Sequence, residues 1–189
     1  NEEAYEKVFV IHYPDEEREA GRPLRTAPCY ERLKNRGAVF GQKFGWERAN
    51  WFATEGMEQV DDWSFRRSKW FDAIGREIKN VNANAGLLDM TAFAKCRIAG
   101  PGAEAFLDYL VANRLPKKVG QIGLCHALNG NGGVHSEFTI LWESEDSFYL
   151  VSAGAWQRLD HDYIRRYMPR DGSVQFTNLT GAIGVLVLA

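Results

Sequence analysis

Residues 123–142 read GLCHALNGNGGVHSEFTILW, two alternating runs on either side of a loop of Asn and Gly. Such a loop lets the chain reverse tightly, so the two runs predict an antiparallel hairpin, with strands over 123–129 and 134–142. If Asn129 pairs with Val134, His126 lies opposite Glu137, Leu128 opposite His135 and Leu124 opposite Thr139. Alternation then puts Leu124, His126, Leu128, His135, Glu137 and Thr139 on one face. Cys125, Ala127, Val134, Ser136, Phe138, Ile140 and Trp142 take the other, the expected core side. The first face mixes a carboxylate, two imidazoles and apolar groups, which suits a ligand cleft. An ordinary solvent face would show the same alternation, and a one-residue slip would invert both faces. A metal held by His126, His135 and Glu137 is not expected, because such trios arise readily by chance.

The remaining elements follow from periodicity. VFVIHY at 8–13 predicts a short strand. Pro28 opens a short helix that Gly37 stops. Residues 38–54 fit neither period and read as irregular chain packed by its rings. The polar stretch TEGMEQVDDWSFRRSKW is the linker candidate. Phe71, Ile74, Ile78, Val81 and Ala85 mark one face of a helix that Gly86 ends. A strand at 95–99 precedes a helix from Pro101 with Phe106, Leu107, Leu110 and Val111 inward. After the hairpin come the strand SFYLVSA and a helix carrying Trp156, Leu159, Tyr163 and Ile164. Strands at 174–179 and 183–188 close the order. This succession predicts an α+β fold, a mixed or antiparallel sheet with flanking helices. GVLVLA, an apolar strand ending without a turn or polar tail, suggests that the chain is a piece of a longer one.

Several functions are excluded or disfavoured. A net charge of −2 lacks the basic footprint of a nucleic-acid binder. No apolar run approaches the roughly 18–20 residues that span a bilayer, and no signal peptide begins the chain, so no membrane partner is expected. Cys29, Cys96 and Cys125 are far apart and odd in number, which predicts free thiols and a cytoplasmic setting. GPGAEA at 100–105 matches a dinucleotide fingerprint in outline. However, Pro101 stands between its glycines and no acidic strand end follows, so a turn and helix start is the better reading. His161, between Asp160 and Asp162, reads as a solvated face, and His12 as a packed strand residue. No Ser lies in a nucleophile-elbow setting and no Cys has an evident base, so hydrolase chemistry lacks support.

Beyond pattern, the wording of the chain resembles a known family. GLLDMTAFAKCRIAGPGAEAFLDYLVANRL at 86–115, the hairpin GQIGLCHALNGNGGVHSEFTIL and the strand YLVSAGAW resemble, in order and spacing, the folate-binding domain of the glycine-cleavage T-protein family. EREAGRPLRTAPCYERLKNRGAVFGQKFGWERANWF resembles the connecting region of FAD-dependent dimethylglycine and sarcosine dehydrogenases. The resemblance implies residues 1–62 as a connecting region and 63–189 as the front part of a T-protein-like domain. The FAD domain would precede it and the rest of the folate domain would follow. It also implies FAD and tetrahydrofolate as the parent's cofactors and a small N-methyl amine as substrate. Glu137 would be the catalytic carboxylate, one methylene longer than the family's Asp. Phe93 stands at a methionine position and Leu124 at a tyrosine position. Thr139, Val151 and Ala153 match wall positions, Ala153 replacing an asparagine. The piece alone would be inactive and bind folate poorly. The alternatives are a T-protein-like aminomethyltransferase or a demethylase of another methyl donor, and a non-catalytic regulatory module on the same fold.

Overall fold

A computed structural model describes residues 2–189, which form two compact units. One runs to Met90 and takes in Val185–Ala189; the other is Thr91–Gly184.

The first unit opens with helices α1 (Glu2–Glu6) and α2 (Tyr30–Asn35). Residues 8–13 form no strand and lie exposed, His12 included. β-Propensity there finds no partner to satisfy its backbone groups, and propensity alone does not make a strand. The segment after α2 departs from expectation in the opposite sense. Strands β1 (Ala38–Lys43) and β2 (Trp46–Phe52) make an antiparallel hairpin. Its two-residue turn, Phe44-Gly45, has both residues at positive φ, the geometry that matches strand twist. A Phe in the left-handed position hides the usual Asn-Gly signal, and a register shift after Val39 interrupts the alternation. Trp51 and Val39 pack against Ala73 of helix α3 (Trp70–Ala83), with Trp70 and Ile74 beside them. The expected helix is therefore present but its buried stripe is rotated. Ala73 is its buried residue, while Phe71 and Ile78 are exposed. Strand β3 (Leu87–Asp89) pairs antiparallel with β9 (Leu186–Leu188), which gives the apolar C-terminal strand its neighbour.

The second unit is a five-stranded antiparallel sheet covered by helices. Its strands are β4 (Ala94–Ala99), β5 (Ile122–Leu128), β6 (Val134–Ser144), β7 (Ser147–Ser152) and β8 (Gln175–Asn178), in the order β5-β6-β7-β4-β8. Helix α4 (Ala103–Leu110) follows the Gly-Pro-Gly turn, and α5 (Gln157–Tyr167) follows β7. Cys125, Phe138, Ile140, Phe148, Leu150, Cys96 and Ile98 form one apolar face. They share a core with Phe106, Leu107 and Leu110 of α4 and Ile164 of α5. Fully burying such side chains stabilises by about 1.5–3 kcal/mol each. That drive sets the sheet's sidedness and leaves the odd-numbered positions of β6 on its other face. Helix α5 turns differently from its expected stripe. Ile164 is buried, but so are Asp160 and His161, whereas Trp156 and Leu159 are exposed. His161 is thus an interior residue that packs edge-on against Phe176 at 4.9 Å.

Candidate functional site

The hairpin register is decided by the core. His126 pairs with Glu137 and Leu124 with Thr139, as the alternation predicts. A register shift after Ala127 then brings Leu128 opposite Val134 instead of His135. One unpaired residue at the ribbon's end bends it. His135 no longer pairs with Leu128 but lines the same cavity as Glu137 and stacks on Tyr163 of α5 at 4.2 Å, while Val134 is exposed instead of core.

Beside Glu137 lies an open cavity of about 370 Å³. Phe93, Glu137, Thr139, Val151 and Ala153 line it together. Leu124 does not: it sits on the edge strand opposite Thr139, more than half exposed. The lining also includes five residues for which sequence reasoning assigned no such place: Val134, Ser136, Ser152, Trp156 and Asp160. The alternation puts Ser136 on the core side, and the helical spacing puts Trp156 with Leu159, Tyr163 and Ile164. The signal that marks Trp156 is its position at the end of YLVSAGAW, on the turn that follows β7 and Ala153.

Two polar networks border the cavity. Ser136 donates its hydroxyl to Asp160 Oδ1 at 2.6 Å, and His135 Nδ1 lies 2.8 Å from the same hydroxyl oxygen. Asp160 is buried, so this charge-assisted bond is of the strong class. On the open side His126 Nε2 lies 3.1 Å from Glu137 Oε2, and Asn113 Oδ1 accepts the His126 backbone N–H at 2.7 Å. Farther along the sheet Arg97 grips Glu143 with two bonds of 2.6 Å, which holds the Glu143 carboxyl below the usual range. Burial pushes the Cys96 thiol up to about 12, and burial with the Asp89 hydrogen bond pushes Cys29 to about 11. Neither is a ready nucleophile. Among the described residues no group of three or more His, Cys, Asp and Glu side chains could hold a metal ion. No helix there is long and apolar enough to cross a membrane.

An antiparallel sheet backed by two helices has counterparts among known proteins. The chain belongs to the GCVT N-terminal domain family, whose model matches residues 29–189. Residues 1–27 match the central domain of FAD dependent oxidoreductases. Mouse mitochondrial dimethylglycine dehydrogenase is 35% identical over 189 residues, which are 99% of this chain and 22% of that protein. The formaldehyde-forming 4-methylaminobutanoate oxidase of Paenarthrobacter nicotinovorans is 29% identical over 95% of this chain and 22% of its own. The chain thus spans about a fifth of the length of these relatives. The crystal structure of the glycine cleavage system aminomethyltransferase T from Bartonella henselae superposes with a TM-score of 0.66 at 22% identity. It covers 87% of this chain and 40% of that one, and shares the fold.

The cytoplasmic setting expected from the cysteines is corrected by these relatives. The mouse, rat and human dimethylglycine dehydrogenases are mitochondrial. Free thiols separate reducing from oxidising compartments; they do not distinguish a cytosol from an organelle.

Proposed function

We propose that this chain carries part of the tetrahydrofolate site of an FAD-dependent dehydrogenase acting on a small N-methyl amine. Amine oxidation yields an iminium carbon, which the folate site captures. The observation that carries the reading is Glu137 standing at the rim of a cavity with an aromatic and aliphatic lining. Phe93, Val134, Val151 and Trp156 offer walls for a flat bicyclic ring, and Glu137 offers an acceptor for a ring or chain N–H. Donor set and shape therefore fit a pterin.

When bound, tetrahydrofolate would supply the nucleophilic nitrogens for one-carbon capture. The chain's own contribution is proton handling and orientation. Glu137 accepts a proton from a folate nitrogen and passes it to the departing amine. Two such protons leave with the amine as its ammonium form, so the carboxylate ends the sequence as it began. Phe93 and Val151 fix the ring plane and exclude water, while Thr139 flanks the carboxylate two residues along β6. Ala153 lines the same hollow but brings no hydrogen bond of its own.

The remaining portion of the folate domain and the FAD domain lie in the parent, and in this reading the chain alone is inactive. The test is Glu137→Gln in the full-length protein with tetrahydrofolate present. Methylene-tetrahydrofolate formation should fall about 100-fold or more while amine oxidation continues. Undiminished methylene-tetrahydrofolate would remove Glu137 from the reaction.

A second reading has one observation behind it, the formaldehyde-forming relative. In that reading the folate site of this protein is idle and the one-carbon unit leaves as formaldehyde. The same assay separates the two, because formaldehyde yield would then be independent of added folate.

A further inference from the structure

The hydrogen-bond chain Asn113–His126–Glu137 carries a constraint on where protons sit. Asn113 Oδ1 takes the backbone N–H of His126 at 2.7 Å and lies 3.2 Å from His126 Nδ1. The backbone group is a donor by necessity, so the Asn113 atom there is its oxygen, which only accepts. Nε2 faces a carboxylate oxygen of Glu137 at 3.1 Å. A carboxylate oxygen only accepts, so in this bond Nε2 carries the hydrogen and His126 is the donor. The second carboxylate oxygen, Oε1, has no hydrogen-bond partner among the described residues. Other nearby titratable groups are engaged elsewhere: His135 with Ser136 and Tyr163, and Asp160 with Ser136.

The geometry points to His126 as the positioning residue of Glu137: anchored by Asn113 through its backbone N–H, it holds Oε2 with its Nε2–H and leaves Oε1 to face the reacting nitrogen. A glutamate has one more rotatable bond than an aspartate. The imidazole restores the fixed direction that the added methylene would otherwise lose. Asn113, on the segment after α4, joins this device to the helix layer through Ala112, whose N–H bonds the His126 carbonyl at 2.8 Å.

The inference rests on the proposed folate site, and the experiment separates the two. In the full-length protein, Glu137→Gln, His126→Leu and His126→Gln are compared for methylene-tetrahydrofolate formed per amine oxidised. His126→Leu should lose about 10- to 100-fold, whereas His126→Gln, whose amide N–H replaces the Nε2 donor, should stay within about threefold of the parent. The second readout needs no turnover. With ¹⁵N-labelled histidine and His126 assigned by its absence in His126→Leu, Nε2 should resonate as a protonated nitrogen, and its resonance should shift in Glu137→Gln. If Glu137→Gln abolishes capture but His126→Leu does not impair it, the positioning role is overturned while the folate reading stands. If Glu137→Gln leaves capture intact, both fall. Equal losses in His126→Leu and His126→Gln, or an unprotonated Nε2 in the parent, overturn the Nε2–H donation to Glu137. A His126→Leu protein that fails to fold is replaced by Asn113→Leu, for which a shift of the His126 ring resonances and partial loss of capture are expected, and unchanged spectra overturn the proposal.

Discussion

The hydroxyl of Ser136 lies 2.6 Å from Asp160 Oδ1, a bond that ties strand β6 to helix α5 one residue away from Glu137. Both groups are buried, so the carboxylate cannot exchange this donor for bulk water. Ser136→Ala should cost about 1–3 kcal/mol, since a buried acceptor loses its partner. Asp160→Ala should cost no less, and the double variant should cost less than the two single losses combined. Thermal or urea denaturation of the four proteins measures this coupling. Strict additivity would show that the bond contributes nothing of its own.

Gly100 ends β4 at φ +118°, and a Cβ there would run into the backbone carbonyl of Ser173. Gly100→Ala therefore combines a conformation that L-residues rarely adopt with a contact that only a backbone shift can relieve. The loss expected from the conformation alone is about 1–3 kcal/mol. Gly120 has a positive φ of 83° but open space around it, so Gly120→Ala reports the conformational part. The difference between the two variants in denaturation midpoint isolates the clash.

These two positions also show what could be read from sequence. The alternation of β5 and β6 was legible because burying Phe138 and Ile140 admits one register, and it brought His126 opposite Glu137. The turn at Gly-Pro-Gly was legible because glycine and proline act locally. By contrast, Ser136–Asp160 is a bond across 24 residues, and no local pattern announces that an acid on a charged helix points inward. His161 was misread for the same reason. The hairpin of β1 and β2 was hidden because its turn uses Phe44 at positive φ, which tertiary packing tolerates and propensity does not suggest. The cavity itself arises where α5, the end of β7 and Phe93 meet, and shape of that kind has no periodic signature.

The cysteines make a reactivity prediction. Cys29 donates to Asp89 Oδ2 at 3.1 Å, and its thiol is pushed up to about 11, first by burial and then by that carboxylate. Cys96, in the sheet core, is pushed up to about 12 by burial. Thiolate is the reactive form, so at neutral pH the folded protein should alkylate with iodoacetamide far more slowly than the same protein in urea. Mass spectrometry of timed samples checks this, and rapid native labelling of Cys96 would contradict its interior placement.

His161 supplies the pH dependence. Burial lowers its pKa first, nearby Arg165 lowers it further, and Asp160 and Asp162 oppose them. In the unfolded chain the imidazole titrates in its ordinary range, so on acidification the unfolded state takes up the proton before the folded state does. Stability that is fully present above the ordinary histidine pKa is therefore lost as pH falls toward and through the lowered folded value. Glu143 adds a loss at lower pH, because Arg97 holds its carboxyl down in the fold and that stabilisation vanishes as the carboxyl is protonated. His161→Gln removes the first term and keeps the second. Its denaturation midpoint should change little between neutral pH and the lower end of the histidine range, where the parent's declines, and both proteins should then weaken together in the carboxylate range. Parallel curves for parent and His161→Gln across the histidine range would show that the ring titrates in the fold as it does in the open chain.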